Sequence, residues 1–217
     1  DQLMLHRKLI DRLAYAHDAS MYRLVPEAVA RPENESDVKD LLEYAISSGT
    51  SVTFRTAGTS LSGQTVTKGI IAEVVRGWKR HEILDNGAAI QLQPGVIGGR
   101  SNLYLQPYHR RIGPDPASID SAMIGGIISN NSSGMVCGVK HNSYHTLRHI
   151  RFILANGNCY DTSNANDYEK FLNVEKDLCT GLLLCRKEIE TNSTLKNKVR
   201  RKYSIKNTLG YSLNSFI

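Results

Sequence analysis

The amino-acid sequence predicts an α+β fold, in which a small parallel β-α-β unit precedes a larger, mainly antiparallel sheet with helices. Three observations carry this prediction. An amphipathic helix pattern at residues 34–49 lies between strand-like runs, two Asn-Gly pairs each separate strand-like runs, and the pattern from Asp167 onward is helical. The 217 residues, 41% of them hydrophobic, suit one domain or two small subdomains.

The helix predicted at residues 34–49 is the centre of the first unit. Asn34 or Ser36 can cap its start, and Gly49 occupies the place of a C′ glycine. Its apolar stripe comprises Val38, Leu41, Leu42, Ala45 and Ile46. Three strands are predicted around it, at residues 27–30, 51–55 and 70–75.

The two Asn-Gly pairs, Asn86-Gly87 and Asn156-Gly157, predict β-hairpins, because both residue types tolerate the positive φ of a tight turn. The strand-like runs are residues 81–84 and 88–93 for the first pair, and residues 147–155 and 159–160 for the second. We therefore expect two subdomains, at residues 1–77 and 78–217.

The basic excess is concentrated near the end of the chain. The net charge is +6. The stretch from Arg186 to Lys206 contains eight basic residues, and its only acidic residues are Glu188 and Glu190. This pattern predicts either a solvated helix face or a surface for nucleic acid. We favour the solvated face, because no aromatic platform or nucleic-acid motif accompanies the charge.

Cysteine and histidine spacing gives no metal site. The four cysteines form no C-x-x-C pair, which predicts reduced, mostly buried thiols in a cytoplasmic protein; they are Cys137, Cys159, Cys179 and Cys185. His141, His145 and His149 recur every four residues, but Asn142-Ser143 interrupts a helix there and no carboxylate lies among them. No apolar run is long enough to span a bilayer.

The first segment whose residues could bind a ligand runs from Arg55 to Gln64. Its small residues allow consecutive backbone N–H groups to converge on an anion, and Arg55 adds positive charge. An ordinary Gly/Ser turn is the alternative. We expect a phosphate or pyrophosphate here, bound by Arg55, Thr56, Ala57, Gly58, Thr59, Ser60, Gly63 and Gln64.

Residues 58–65 differ at one position from the P-loop pattern G-x-x-x-x-G-K-[ST]. Gln64 stands where the pattern has the lysine that reaches the phosphates, and no helix is predicted after it. A degenerate P-loop module remains an alternative function for this segment, as does a basic nucleic-acid-binding domain for the tail.

The second segment lies at residues 112–138. Gly113-Pro114-Asp115-Pro116 predicts a stiff turn, and Gly125-Gly126 permits close backbone approach to a flat or phosphorylated ligand. Residues 130–134 supply uncharged donors and acceptors between apolar flanks. Buried polar loops of this kind usually serve a ligand.

In this order, the segments resemble the FAD-binding domain of the vanillyl-alcohol oxidase and p-cresol methylhydroxylase superfamily. The branch most similar is that of FAD-linked D-lactate and D-2-hydroxyglutarate dehydrogenases, and the resemblance extends from Tyr15 to Ile217. It is carried by residues 18–23, 26–29, 55–64, 93–96, 113–118, 124–126, 130–134, 206–208 and 210–211.

The resemblance implies two subdomains with FAD extended between them. The Arg55–Gln64 loop would hold the pyrophosphate, and Thr59 stands where covalent members have a histidine, so non-covalent FAD is expected. Asn142 departs from the glycine that relatives often have after an aromatic residue. The implied flavin-side residues are Pro114, Ser121, Ile124, Gly125, Gly126, Asn130, Asn131, Ser132, Ser133 and Gly134.

The resemblance also implies the reaction, which is hydride transfer from a 2-hydroxy acid to flavin N5. Substrate-side groups of this branch lie in a later domain, so we expect no catalytic residue in this chain, which alone would be an inactive fragment. An iron–sulfur cluster downstream, a dimer and a peripheral contact with the cytoplasmic side of a membrane stay open. The expected partners are the small-molecule substrate and the downstream domain, and not nucleic acid.

Overall fold

A computed structural model describes residues 5–136, 138–207 and 211–217. It shows the mixture of helices, parallel sheet and antiparallel strands that the sequence predicts, and the α+β fold class is confirmed. Cys137 lies outside the described residues, as do the Thr208 and Gly210 of the resemblance. The division at residue 77 stays a prediction.

The parallel sheet is built by the first seventy-odd residues. Its strands and flanking helices are α1 (Leu9–Ala14), β1 (Ala28–Ala30), α2 (Glu35–Ser48), β2 (Val52–Arg55) and β3 (Ile70–Glu73). The strand order is β1-β3-β2, and both pairings are parallel. Strand β3 is central, and Ile70, Ile71 and Ala72 are fully buried. All three predicted strands of this unit are confirmed.

Helix α2 covers this sheet as its sequence predicts. The Asp37 backbone N–H donates to Asn34 Oδ1 at 3.0 Å, and Gly49 ends the helix with a φ of 66°. Val38, Leu41, Leu42 and Ala45 are buried. Ile46 is 66% exposed, so its predicted burial is wrong. At 100° per residue, Ile46 lies at the edge of the stripe, beyond the sheet's reach.

Both hairpins form. Strands β4 (His81–Leu84) and β5 (Ala89–Leu92) pair across a turn in which Asp85, Asn86 and Gly87 all have positive φ, and α3 (Gly98–Leu105) follows. Within the described ranges, these antiparallel strands form two separate two-stranded sheets rather than one larger sheet. Helices intervene between the hairpins, namely α3, α4 (Ile124–Ser129) and α5 (Ser143–Thr146). The second hairpin pairs β6 (Arg151–Ile153) with β7 (Cys159–Asp161).

Three helices follow the second hairpin, as predicted, and they are α6 (Ala165–Val174), α7 (Lys176–Thr191) and α8 (Ser193–Tyr203). On α7, Ile189 is buried, whereas Leu178, Leu182 and Cys185 are exposed. Cys159 and Cys179 are half-buried, so the prediction of mostly buried thiols is wrong for the three cysteines that the structure describes. Among the described residues, the main neighbours of helix α7 are other helical segments, and much of its surface is uncovered.

Polar side-chain contacts join elements that lie far apart in the sequence. The Arg151 guanidinium donates two hydrogen bonds to Glu35, each 2.7 Å long, and the Trp78 indole donates to Pro32 O at 2.7 Å. Neither contact lies at the candidate site below. In the part of the chain that the structure describes, no helix is long and apolar enough to cross a membrane.

Candidate functional site

The Arg55–Gln64 loop leaves the carboxyl end of β2 and leads to β3, so it lies at one edge of the parallel sheet. Ligands of open α/β sheets bind beyond the carboxyl ends of the strands. No helix follows the loop, because the chain turns at Gln64 and enters β3 at Ile70. The P-loop interpretation is therefore wrong in geometry, since a P-loop opens a helix.

Hydrogen bonds within the loop fix its curvature. The backbone N–H groups of Ser62 and Gln64 both donate to Ser60 Oγ, at 3.2 and 3.3 Å. Gly58 and Gly63 have φ values of 68° and 72°, which L side chains rarely adopt. The loop thus has a defined, glycine-dependent conformation rather than that of an ordinary turn.

Part of the loop presents unused hydrogen-bond donors. The backbone N–H groups of Ala57, Gly58 and Thr59 have no acceptor among the described residues, and all three residues are half-buried. Consecutive free N–H groups in a left-handed turn form an anion-binding nest. The loop therefore has the donor set that a diphosphate requires.

Arg55 lies behind the loop. Its Nη1 donates to His17 O at 2.8 Å and lies 3.3 Å from Tyr15 O, while its guanidinium stands 5.3 Å from the centre of the Tyr15 ring. Burial lowers the pKa of Arg55. A Cβ on Gly58 would lie 2.5 Å from Arg55 Nη2. In the structure, Arg55 therefore donates to backbone carbonyl groups. Its contact with the cofactor stays a prediction.

The second predicted segment meets the first at the start of α4. A Cβ on Gly125 would lie 3.0 Å from Thr56 Cγ2 and 2.9 Å from Pro94 Cβ. A Cβ on Gly126 would lie 3.5 Å from Thr56 Oγ1, and Gly126 is exposed. Two segments seventy positions apart in the sequence therefore adjoin, and their glycines keep the backbone accessible at the junction.

The polar segment after α4 is largely buried and tied to the protein. Asn131, at a φ of 51°, accepts a hydrogen bond from the Tyr144 N–H at 3.1 Å, and Ser132 Oγ donates to Asn130 Oδ1 at 2.6 Å. Gly134 packs directly against Asp115. These contacts hold residues 130–134 in one conformation.

Ser133 is the exception in this segment. It is only 8% exposed, and its Oγ has no hydrogen-bond partner among the residues that the structure describes. A buried hydroxyl without a partner is costly, so it suits a ligand that supplies one. The free N–H groups of the loop, the open Gly125-Gly126 backbone and this hydroxyl together fit FAD.

Two further predicted flavin-side residues are Pro114 and Ser121. Pro114 is buried, and Ser121 is exposed with its Oγ donating to Ser118 O at 3.2 Å. The contact of Pro114 and Ser121 with flavin stays a prediction. Among the described residues, no three metal-ligating side chains cluster, and His141, His145 and His149 are all exposed.

Sequence reasoning missed the contribution of residues 15–22 to the site. Asp18 is 8% exposed and accepts hydrogen bonds from Ser20 and Thr65. Burial raises the pKa of Asp18, but these hydrogen bonds outweigh it, so that the pKa lies below its ordinary value. The Asp-x-Ser spacing, typical of an Asx turn, was the available signal.

Comparison with known proteins assigns the family. Residues 26–163 match the FAD binding domain family, and the chain belongs to it. It is 31% identical to D-2-hydroxyglutarate dehydrogenase of Escherichia coli (strain K12) over 156 residues, which cover 70% of this chain. It is 29% identical to glycolate oxidase subunit GlcD of Bacillus subtilis (strain 168) over 155 residues, also 70% of this chain.

Solved structures show the same fold. The structure of 6-hydroxy-D-nicotine oxidase from Arthrobacter nicotinovorans matches 68% of this chain with a TM-score of 0.60 at 18% identity. The structure of alkyldihydroxyacetonephosphate synthase matches 68% with a TM-score of 0.56 at 16% identity. The chain spans 15% of the Escherichia coli relative and about a third of each of these structures. The chain therefore contains an FAD binding domain of this family, and it shares its fold with these solved structures.

Proposed function

We propose that FAD lies across the junction between the Arg55–Gln64 loop and α4. The observation that carries this proposal is the contact between Thr56 and the first turn of α4 at Gly125. It brings the loop, with its free N–H groups, to the start of α4, the helix that leads into the buried segment that holds Ser133. One extended ligand with an anionic middle and a flat, polar end would use both.

Each part of this junction has its own task. The N–H groups of Ala57, Gly58 and Thr59 bind the diphosphate charge, since oriented backbone donors stabilise an anion without a charged side chain. Gly126 lets the flat ring approach the backbone, and the Ser133 hydroxyl donates to it. Thr59 has no nucleophilic imidazole, so the cofactor is held without a covalent bond. Bound FAD supplies an acceptor for hydride at N5.

The proposed substrate is a small 2-hydroxy acid of the D-2-hydroxyglutarate, glycolate or D-lactate type. Its support is that the relatives are named D-2-hydroxyglutarate dehydrogenase and glycolate oxidase subunit. We assign no residue of this chain to the substrate carboxylate or to the proton of its hydroxyl. These tasks are proposed for a further domain of the same protein.

The test is a dye-coupled oxidation assay on the full-length protein saturated with FAD. We expect turnover with at least one 2-hydroxy acid from a panel of D-2-hydroxyglutarate, D-lactate and achiral glycolate, and little with L-2-hydroxyglutarate or L-lactate. Residues 1–217 expressed alone serve as the matched control, with no turnover expected. Full-length protein that holds FAD but oxidises none of these acids would overturn the proposed substrate class.

A further inference from the structure

Residues 15–22 form an N-terminal strap that lies along the diphosphate loop. The strap contacts the start of the loop, where Arg55 donates to His17 O and the Ala19 N–H donates to Gly58 O at 3.2 Å. It also contacts the other end, where the Tyr22 ring packs against Gly63. The loop is therefore held at both ends by the same eight residues.

Asp18 is the buried polar residue of this strap. Its Oδ1 accepts from the Ser20 N–H at 2.9 Å, and its Oδ2 accepts from Thr65 Oγ1 at 3.1 Å and lies 3.4 Å from the Thr65 backbone N. Among the described ion pairs, none includes Asp18, so its hydrogen-bond donors are neutral, and the Arg55 charge attracts it without a direct contact. Hydrogen bonds to a charged acceptor are stronger than hydrogen bonds between two neutral groups.

The charge of Asp18 has the wrong sign for attracting a diphosphate. A buried carboxylate near the proposed site repels an anion, so its presence needs another explanation. Thr65 directly follows the Gly63-Gln64 turn, and the Val66 N–H lies 3.4 Å from Gly63 O. Fixing Thr65 therefore fixes where the loop ends.

We propose that Asp18 is a positioning residue for FAD, which acts through Thr65 to hold the loop in the conformation that presents its N–H groups. This inference rests on the proposed function. It gives the two charged residues near the loop different roles, because Arg55 fixes the start of the loop and Asp18 fixes its end.

The experiment measures FAD affinity by fluorescence titration of the full-length apoprotein and of its variants. Asp18→Ala removes every acceptor, and we expect a loss of about tenfold or more in FAD affinity, as for the loss of charged hydrogen bonds. Thr65→Val removes one donor and should give a smaller loss, whereas Thr65→Ser keeps it and should restore the parent affinity. Asp40→Ala, at an exposed position of α2, is the matched control.

Two competitors separate positioning from general destabilisation. ADP contains the diphosphate, whereas riboflavin lacks it. Asp18→Ala should lower the affinity for ADP by the same factor as the affinity for FAD, and it should leave the affinity for riboflavin unchanged. Three results would each overturn the positioning role. They are an equal loss of riboflavin affinity in Asp18→Ala, an unchanged FAD affinity in Asp18→Ala, and an FAD affinity of Thr65→Ser below that of the parent. A parent protein that does not bind FAD would instead overturn the proposed function itself.

Discussion

Thr56 and Gly125 are in contact across the two halves of the candidate site, with Thr56 Cγ2 lying 3.0 Å from the position that a Cβ on Gly125 would take. Thr56 directly follows β2, and Gly125 lies in the first turn of α4. This contact makes one site of two segments that the sequence offers separately. It also makes the size of residue 125 critical.

Gly125→Ala should therefore disturb the junction. The new methyl group would meet Pro94 and Thr56 at 2.9 and 3.0 Å, and overpacking of this kind costs about 1–3 kcal/mol in the free energy of unfolding. Gly126→Ala is the matched control for stability, because its Cβ finds no atom closer than 3.5 Å. Urea denaturation of the apoprotein measures both, and equal stability of the two variants would contradict the packing.

The same pair gives a prediction for binding. Gly126→Ala should fold like the parent but bind FAD more weakly, since its methyl group projects from an exposed turn against which we place the flavin. Fluorescence titration with FAD checks this. Parent-like affinity of Gly126→Ala would remove this turn from the cofactor site.

Gly58→Asp should lower FAD affinity by at least about tenfold, because it adds a carboxylate beside the diphosphate and strains a residue with a φ of 68°. Gly49→Asp is the control for backbone strain alone, since Gly49 has a φ of 66° and nothing within 4 Å of its added Cβ, whereas a Cβ on Gly58 also meets the Arg55 guanidinium. Both variants lose conformational stability, but only the first should lose FAD affinity in a titration. A similar loss in both would mean that strain, and not the site, is responsible.

Flavin should leave the protein completely on acid or heat denaturation, because Thr59 cannot form a histidyl–flavin bond. The measurement is the flavin absorbance of the supernatant after precipitation and centrifugation. Colour that remains with the pellet would point to attachment at another residue.

The pair Glu35 and Arg151 should give a pH-dependent contribution to stability. Hydrogen bonds from Arg151 lower the pKa of Glu35, so the contribution is complete above the unfolded value of about 4.3 and disappears as pH falls through the lower folded value. The pair is partly exposed, so Arg151→Met should cost only about 0.5–1 kcal/mol at pH 7.

Urea denaturation at pH 7, 5 and 3 tests this prediction, with Arg186→Met as control. Arg186 forms an exposed i,i+4 pair with Glu190, and such pairs contribute about 0.3–0.5 kcal/mol. The difference between parent and Arg151→Met should shrink at pH 3. A difference that is independent of pH would show that lost packing, rather than the ion pair, is the cause.

Local patterns predicted much of the fold correctly. Asn34 and Gly49 mark both ends of α2, and Asn86-Gly87 marks the first hairpin, because capping and positive φ are decided by adjacent residues. Burial was less predictable. Ile46 and Cys185 have core-like spacing yet are exposed, since burial depends on which elements pack against a helix.

The candidate site shows the same division. Its loop was visible as a pattern of small residues, and in the structure Gly58 and Gly63 of this loop have positive φ. The partners of Arg55 were not visible, because Tyr15 and His17 contribute backbone carbonyls that any residue would have. Likewise, the role of Asp18 depends on Thr65, which lies 47 positions away.

Hydrogen–deuterium exchange of the full-length protein with and without FAD tests the central claim most directly. FAD should slow the exchange of the free N–H groups at residues 57–59 and of the segment at residues 124–134. Helix α7, at Lys176–Thr191, serves as the internal reference and should not change. Protection of both segments together is the result that the proposed site predicts. FAD binding that leaves residues 57–59 unprotected would contradict it.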